Sequence, residues 1–203
     1  PFGYAFAVTV DGADFEITKI DDLTARVSVT MPENGEYTIW MNSSSRCHIE
    51  KENIVGAYEE TVYTSTAQDI FDKAYAEINE VKAIGYTDAL EASCEFWHDF
   101  WQRSFVYYDN GNEAESDYIE NFYYLSLYHI GGAAYAEYQP MHFMNGVYSA
   151  CKDNDIKWNE GYWHFNQRAV YNALVASNHI DGYQSYLNFY NRLIDAMTTF
   201  TVN

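Results

Sequence analysis

The sequence predicts an α+β chain in which strands come first and helices follow, with the change near residue 65. Three observations predict it. Up to about Thr66 the segments AFAVTV, DFEITKI, TARVSVTM and EYTIWMNSSS alternate, or run through β-branched and aromatic residues, between turn residues at Asp11-Gly12, Asp21-Asp22 and Pro32-Glu33-Asn34-Gly35. After Thr64-Ser65-Thr66 the apolar residues recur at helical spacing. Near the end NQRAVYNALVAS and YQSYLNFYNRLIDAMTTF flank a break at 178–182, the antiparallel hairpin of a helical bundle or an α/α toroid.

The β part holds at least three antiparallel strands, too few to close a sandwich, so it needs another layer. Asn34-Gly35 between two apolar runs is its sharpest turn signal. In AQDIFDKAYAEINEVKAIG the spacing puts Ile70, Phe71, Ala74, Ile78 and Val81 near one face, with Ser65 or Thr66 as cap and Gly85 as stop. A second helix over about 87–101 stacks Leu90, Cys94, Trp97 and Trp101. DNGNEAES is a polar loop, and a third helix follows with Ser116 as cap and Gly131-Gly132 weakening its end. QPMHFMNGVYSACKDNDIKWNEGYWHF has no clean period, and long ordered loops of this kind tend to be functional.

With 203 residues, 48% hydrophobic and 20% charged, the chain can bury a sizeable core. Eleven Lys and Arg stand against 30 Asp and Glu, a net charge of -19 that repels phosphate backbones and anionic lipid, so neither nucleic acid nor a membrane is an expected partner. Cys47, Cys94 and Cys151 are widely spaced and form no CxxC pair, which argues against a disulfide framework. There is no HExxH, G-x-S-x-G, GxGxxG or phosphate loop, and no cofactor or metal is expected. No apolar run is long enough to cross a membrane, and PFGYAFAVTV, without a charged n-region or initiator Met, reads as a chain begun in mid-protein.

Twenty Tyr, 12 Phe and five Trp fit either an aromatic helical core or a cleft that grips an amphipathic ligand such as a sugar. The densest mixture is Trp158-Asn159-Glu160-Gly161-Tyr162-Trp163-His164-Phe165-Asn166-Gln167-Arg168, at the entrance to a helix where free backbone N–H groups can hold a ligand oxygen. The competing reading has its Trp and Tyr plugging the core while Asn166 caps the helix. Trp neighbours can raise the pKa of Glu160, yet it reads as a binding or loop residue, with Asp153, Asp155 and Asp181 the nearest second carboxylates.

The runs SVTMPENGEYTIWMNSSS, AQDIFDKAYAEI, GYTDALEASCEFWHDFWQRSFV, SDYIENFYYLSLYHIGG, PMHFMNGVYS and YWHFNQRAVYNALVASNHID, in that order, resemble glycoside hydrolase family 95, the alpha-L-fucosidase-like glycosidases. The resemblance covers nearly the whole chain. It implies the last strands of a β-sandwich over 1–65, a helical linker over 66–104, and the first helices of an (α/α)6 toroid over 105–203. It also implies a carbohydrate substrate and hydrolysis with inversion. Two family asparagines that orient the base and the attacking water correspond to His164 and Asn166, the first of them a departure from the family's amide. Asn145, in Asn145-Gly146, stands where the family has Gln-Gly, and Trp158, Glu160, Tyr162 and Trp163 complete the implied sugar contacts. The general acid and base would lie beyond these residues, Arg103 would be structural, and the family and the acidity suggest an extracellular or periplasmic protein. A noncatalytic carbohydrate-binding or structural protein on the same scaffold is the alternative, and a helical interaction module a further one.

Overall fold

The structure, a computed structural model, describes residues 3–22, 24–46, 64–136 and 163–202. Among them are two small antiparallel sheets and five α-helices, a mixed α+β arrangement. The strands are β1 Tyr4–Asp11, β2 Phe15–Lys19, β3 Ala25–Val29 and β4 Thr38–Ser45. The helices are α1 Ala67–Ile84, α2 Tyr86–Trp101, α3 Glu113–Ala134, α4 His164–Ala176 and α5 Gln184–Val202, with a 3-10 turn at Ile180–Tyr183. Two compact units divide within α2, after Leu90, so the expected border near residue 65 falls inside the first unit.

In the first unit β1 pairs with β4 and β2 with β3, so a hairpin is nested inside a longer pair. Gly35, at φ 72, closes the expected turn by donating to the Pro32 carbonyl, but the strands on either side belong to different sheets and do not pair with each other. Thr66 caps α1 with a full capping box to Asp69, and Gly85 at φ 94 ends it. The buried stripe of α1 is Ile70, Ala74 and Ile78, a narrower face than the spacing predicts: Phe71 and Val81 are exposed. Ala74 and Ile78 pack with Ala7 of β1 and Trp40 of β4. The opposite sheet face carries Tyr4, Phe6, Ile39 and Met41, all exposed.

The predicted stack on α2 is only half present. Trp97 and Trp101 lie 5.8 Å apart at an interplanar angle of 20°, whereas Leu90 and Cys94 are exposed and Phe100 is the buried residue. Asn112, not Ser116, precedes α3; the Ser116 hydroxyl turns back to Asn110 Oδ1 at 3.1 Å. α3 continues through Gly131-Gly132 to Ala134 instead of weakening there, because Gly131 is where the helix meets α2. A Cβ at that position would stand 2.8 Å from the Phe100 ring.

The segment leading into α3 is pinned to that helix by hydroxyls. Ser104 Oγ lies 3.1 Å from Tyr123 Oη, Tyr124 Oη bridges the N–H and C=O of Val106, and the Tyr108 N–H donates to Glu120 at 2.6 Å. The second core joins Ile130 and Ala134 of α3, Tyr171 and Leu174 of α4, and Tyr186 of α5. α4 and α5 run antiparallel, since Tyr171 meets Tyr186 while His164 meets Tyr190.

Candidate functional site

The connection between α4 and α5 is built as a cap for the end of α2. Asn178, at φ 60, is the left-handed residue of a Schellman stop: its N–H donates to Val175 O and that of His179 to Leu174 O. Their side chains then turn to α2. His179 Nε2 donates at 2.9 Å to the Phe100 carbonyl in the last turn of α2, which also accepts the Arg103 N–H at 3.4 Å, and Asn178 Nδ2 donates at 3.2 Å to the Arg103 carbonyl just past the helix. Arg103 returns the contact through Asp181 at 2.5 Å.

Tyr135 Oη donates to the same Asp181 oxygen at 3.2 Å. The Arg103 guanidinium holds the Asp181 carboxyl below its ordinary value, and burial pushes the Tyr135 phenol up to about 12. At neutral pH Asp181 is therefore a fixed carboxylate acceptor and Tyr135 a fixed hydroxyl donor. Asp181 is unsuited to donate a catalytic proton.

Beside this corner is a pocket of about 220 Å³ lined by Ala134, Tyr135, Ala136, Asp181, Gln184, Ser185 and Asn188. It is smaller than sites for drug-sized ligands, about 300 Å³ and upward, and suits one small polar molecule. Gln184 and Asn188 are one turn apart on α5 and joined by a 2.7 Å bond from Gln184 Nε2 to Asn188 Oδ1. That bond leaves the Asn188 amide hydrogens and the Gln184 carbonyl oxygen as donors and acceptor. With the Tyr135 ring and the carboxylate, the pocket mixes a flat face with short polar arms.

The sequence-predicted residues divide. Trp163, His164 and Asn166 sit at the head of α4, and the helix begins at His164 with Trp163 at the N-cap position, so Asn166 lies inside the first turn and is no cap. Trp163 and His164 are exposed and Asn166 is half-buried. Two positions apart on a helix, His164 and Asn166 project roughly 200° apart and do not share a face. The His164 ring stands edge-on to Tyr190 at 5.4 Å. Burial pushes the Tyr190 phenol up to about 12, and the buried Tyr186 hydroxyl next to it finds no hydrogen-bond partner among the described residues. Asn145, Trp158, Glu160 and Tyr162 lie outside the described residues.

The pocket at the other end of the hairpin was not legible as a site. Gln184 and Asn188 show only an i, i+4 amide pair on a helix, and Tyr135 stands at a helix end far away in sequence. Among the described residues no group of three or more His, Cys, Asp or Glu is placed to hold a metal ion, and no helix is long and apolar enough to cross a membrane. Compared with family models, curated proteins and solved structures, the chain matches none significantly.

Proposed function

We propose that the chain is part of a carbohydrate-active protein, a glycoside hydrolase of the inverting, fucosidase- or galactosidase-like kind acting on oligosaccharides or polysaccharides outside the cytoplasm. The observation that carries the reading is the pocket of Tyr135, Asp181, Gln184, Ser185 and Asn188. Its alternating donors and acceptors beside an aromatic ring are what a sugar's hydroxyls and apolar ring face require. The fold is in keeping: an apolar sheet face of Tyr4, Phe6, Ile39 and Met41 suits the inner side of a sandwich, and an antiparallel α4–α5 pair suits a hairpin of an (α/α)6 toroid. Trp163, His164 and Asn166 would add contacts from the head of α4, with Asn145, Trp158, Glu160 and Tyr162. The acid and base of an inverting mechanism would be carboxylates other than the ion-paired Asp181.

The test is a titration of the full chain with methyl α-L-fucopyranoside and methyl β-D-galactopyranoside, followed by NMR of the Gln184 and Asn188 side-chain amides. Saturable shifts that Asn188→Ala abolishes support the reading. Unmoved amides with both sugars overturn it. Binding alone supports the carbohydrate reading in both its catalytic and its noncatalytic form, since the acid and base are expected outside these residues.

A further inference from the structure

On the first unit a recess of about 200 Å³ opens where α1 meets β4, lined by Trp40, Met41, Asn42, Glu77, Ile78 and Val81. Its polar groups offer acceptors only. Asn42 Nδ2 commits its hydrogens within the fold, to the Ala74 carbonyl at 3.4 Å and to Glu77 Oε2 at 2.7 Å, which leaves the amide oxygen. Glu77 Oε1 lies 3.1 Å from Lys73 Nζ. Asp11, which accepts the Trp40 indole N–H at 2.8 Å, is paired with Lys82 at 2.6 Å.

These bonds decide what can enter. Each carboxylate around the recess has its own lysine, so no surplus charge draws an ion. The indole is tethered at Nε1 and packed against Ala7, Ala74 and Ile78, so little side-chain freedom remains to be lost when a ligand lies against it. The other apolar walls are Ile78 and Val81 of α1, since the Met41 side chain lies on the opposite face of the sheet. An apolar wall with neutralised acceptors matches a ring that has carbon faces and outward hydroxyl donors. We infer that this recess is a carbohydrate contact that takes one neutral pyranose unit, seated by Trp40 with its hydroxyls donating to Asn42 Oδ1 and Glu77. It is separate from the pocket on the second unit and stands or falls without it.

The experiment uses the full chain labelled with 15N, with the Trp40 indole N–H peak identified by its loss in Trp40→Phe. The same two methyl glycosides should move that peak saturably. Glu77→Gln, which keeps the shape, should weaken the effect by roughly fivefold, the worth of about one hydrogen bond. Val81→Phe, which fills the recess from an exposed position, should abolish it while circular dichroism shows the fold intact. A Trp40 peak that does not move, or that moves equally with propylammonium or with free indole, overturns the inference. The Gln184 and Asn188 amides are read in the same spectra: their movement without Trp40 sinks this site and leaves the proposed function, and the reverse separates the two the other way.

Discussion

His179 is completely buried and joins the α4–α5 connection to α2 by donating from Nε2 to the carbonyl oxygen of Phe100 at 2.9 Å. A carbonyl only accepts, so this nitrogen carries the hydrogen. The ring also packs on the Phe100 side chain, centroid to centroid 3.9 Å, and Nδ1 faces Ser177 Oγ at 2.9 Å. His179→Ala removes the packing and leaves the Phe100 carbonyl only the long 3.4 Å bond from the Arg103 N–H, for an expected loss of about 3 kcal/mol in urea denaturation. His179→Gln keeps a donor on a side chain of similar reach and should recover part of that loss. Equal destabilisation by the two variants would show that the hydrogen bond contributes nothing.

Asn178 holds φ 60 and uses its side chain on the Arg103 carbonyl. Asn178→Gly forfeits that hydrogen bond but relieves the left-handed backbone, so its net effect should stay within about 1 kcal/mol. Asn178→Ala forfeits the bond and keeps the strain, and should be worse than the glycine variant by roughly 1 to 2 kcal/mol. Chemical denaturation of the pair reads the difference directly, and a glycine variant less stable than alanine contradicts the Schellman assignment.

The Arg103–Asp181 pair gives the chain an acid-sensitive contact. The native Asp181 carboxyl is held below its ordinary value of 3.8, chiefly by the hydrogen bond from Arg103. A depressed native pKa contributes stability that is fully present above the unfolded value and is lost as pH falls through the native one, so the window lies below 3.8. Asp181 is about half exposed, and solvent screening limits the contribution to under about 1 kcal/mol. Stability against pH for the parent and Asp181→Asn should therefore diverge at neutral pH and converge in acid. Parallel curves down to strong acid would contradict the pairing.

Local signals read cleanly wherever one residue type decides the backbone. Thr66 and Gly85 bound α1 as expected because a capping box and a positive-φ stop are written in adjacent residues. Spacing alone erred where a partner decides the face. Phe71, Val81 and Leu90 fit the apolar periodicity of their helices and still face solvent in the structure, while Phe100 is the buried centre of α2. The roles of the tyrosines were hidden for another reason: at Tyr123, Tyr124 and Tyr135 the hydroxyl, which no hydrophobic pattern registers, makes the contact. The pocket beside Asp181 depends on residues from two separated segments, a juxtaposition that sequence order does not express.

Two adjacent glycines on one helix should respond in opposite directions. In a helix interior alanine is favoured over glycine by about 1 kcal/mol through backbone entropy alone. At Gly132 a Cβ meets nothing within 4 Å, so Gly132→Ala should stabilise by about 0.5 kcal/mol, less than the full amount because the helix ends at Ala134. At Gly131 the same Cβ would stand 2.8 and 2.9 Å from two Phe100 ring carbons and 3.2 Å from Trp97. Phe100 is buried against His179 and cannot swing away, so overpacking of about 1 to 3 kcal/mol outweighs the propensity gain. Gly131→Ala should lower the urea midpoint. Combining it with Phe100→Leu, which vacates the clash, should give a total loss smaller than the sum of the single variants, and strict additivity in that double-mutant cycle would contradict the close approach of α3 to α2 at this position.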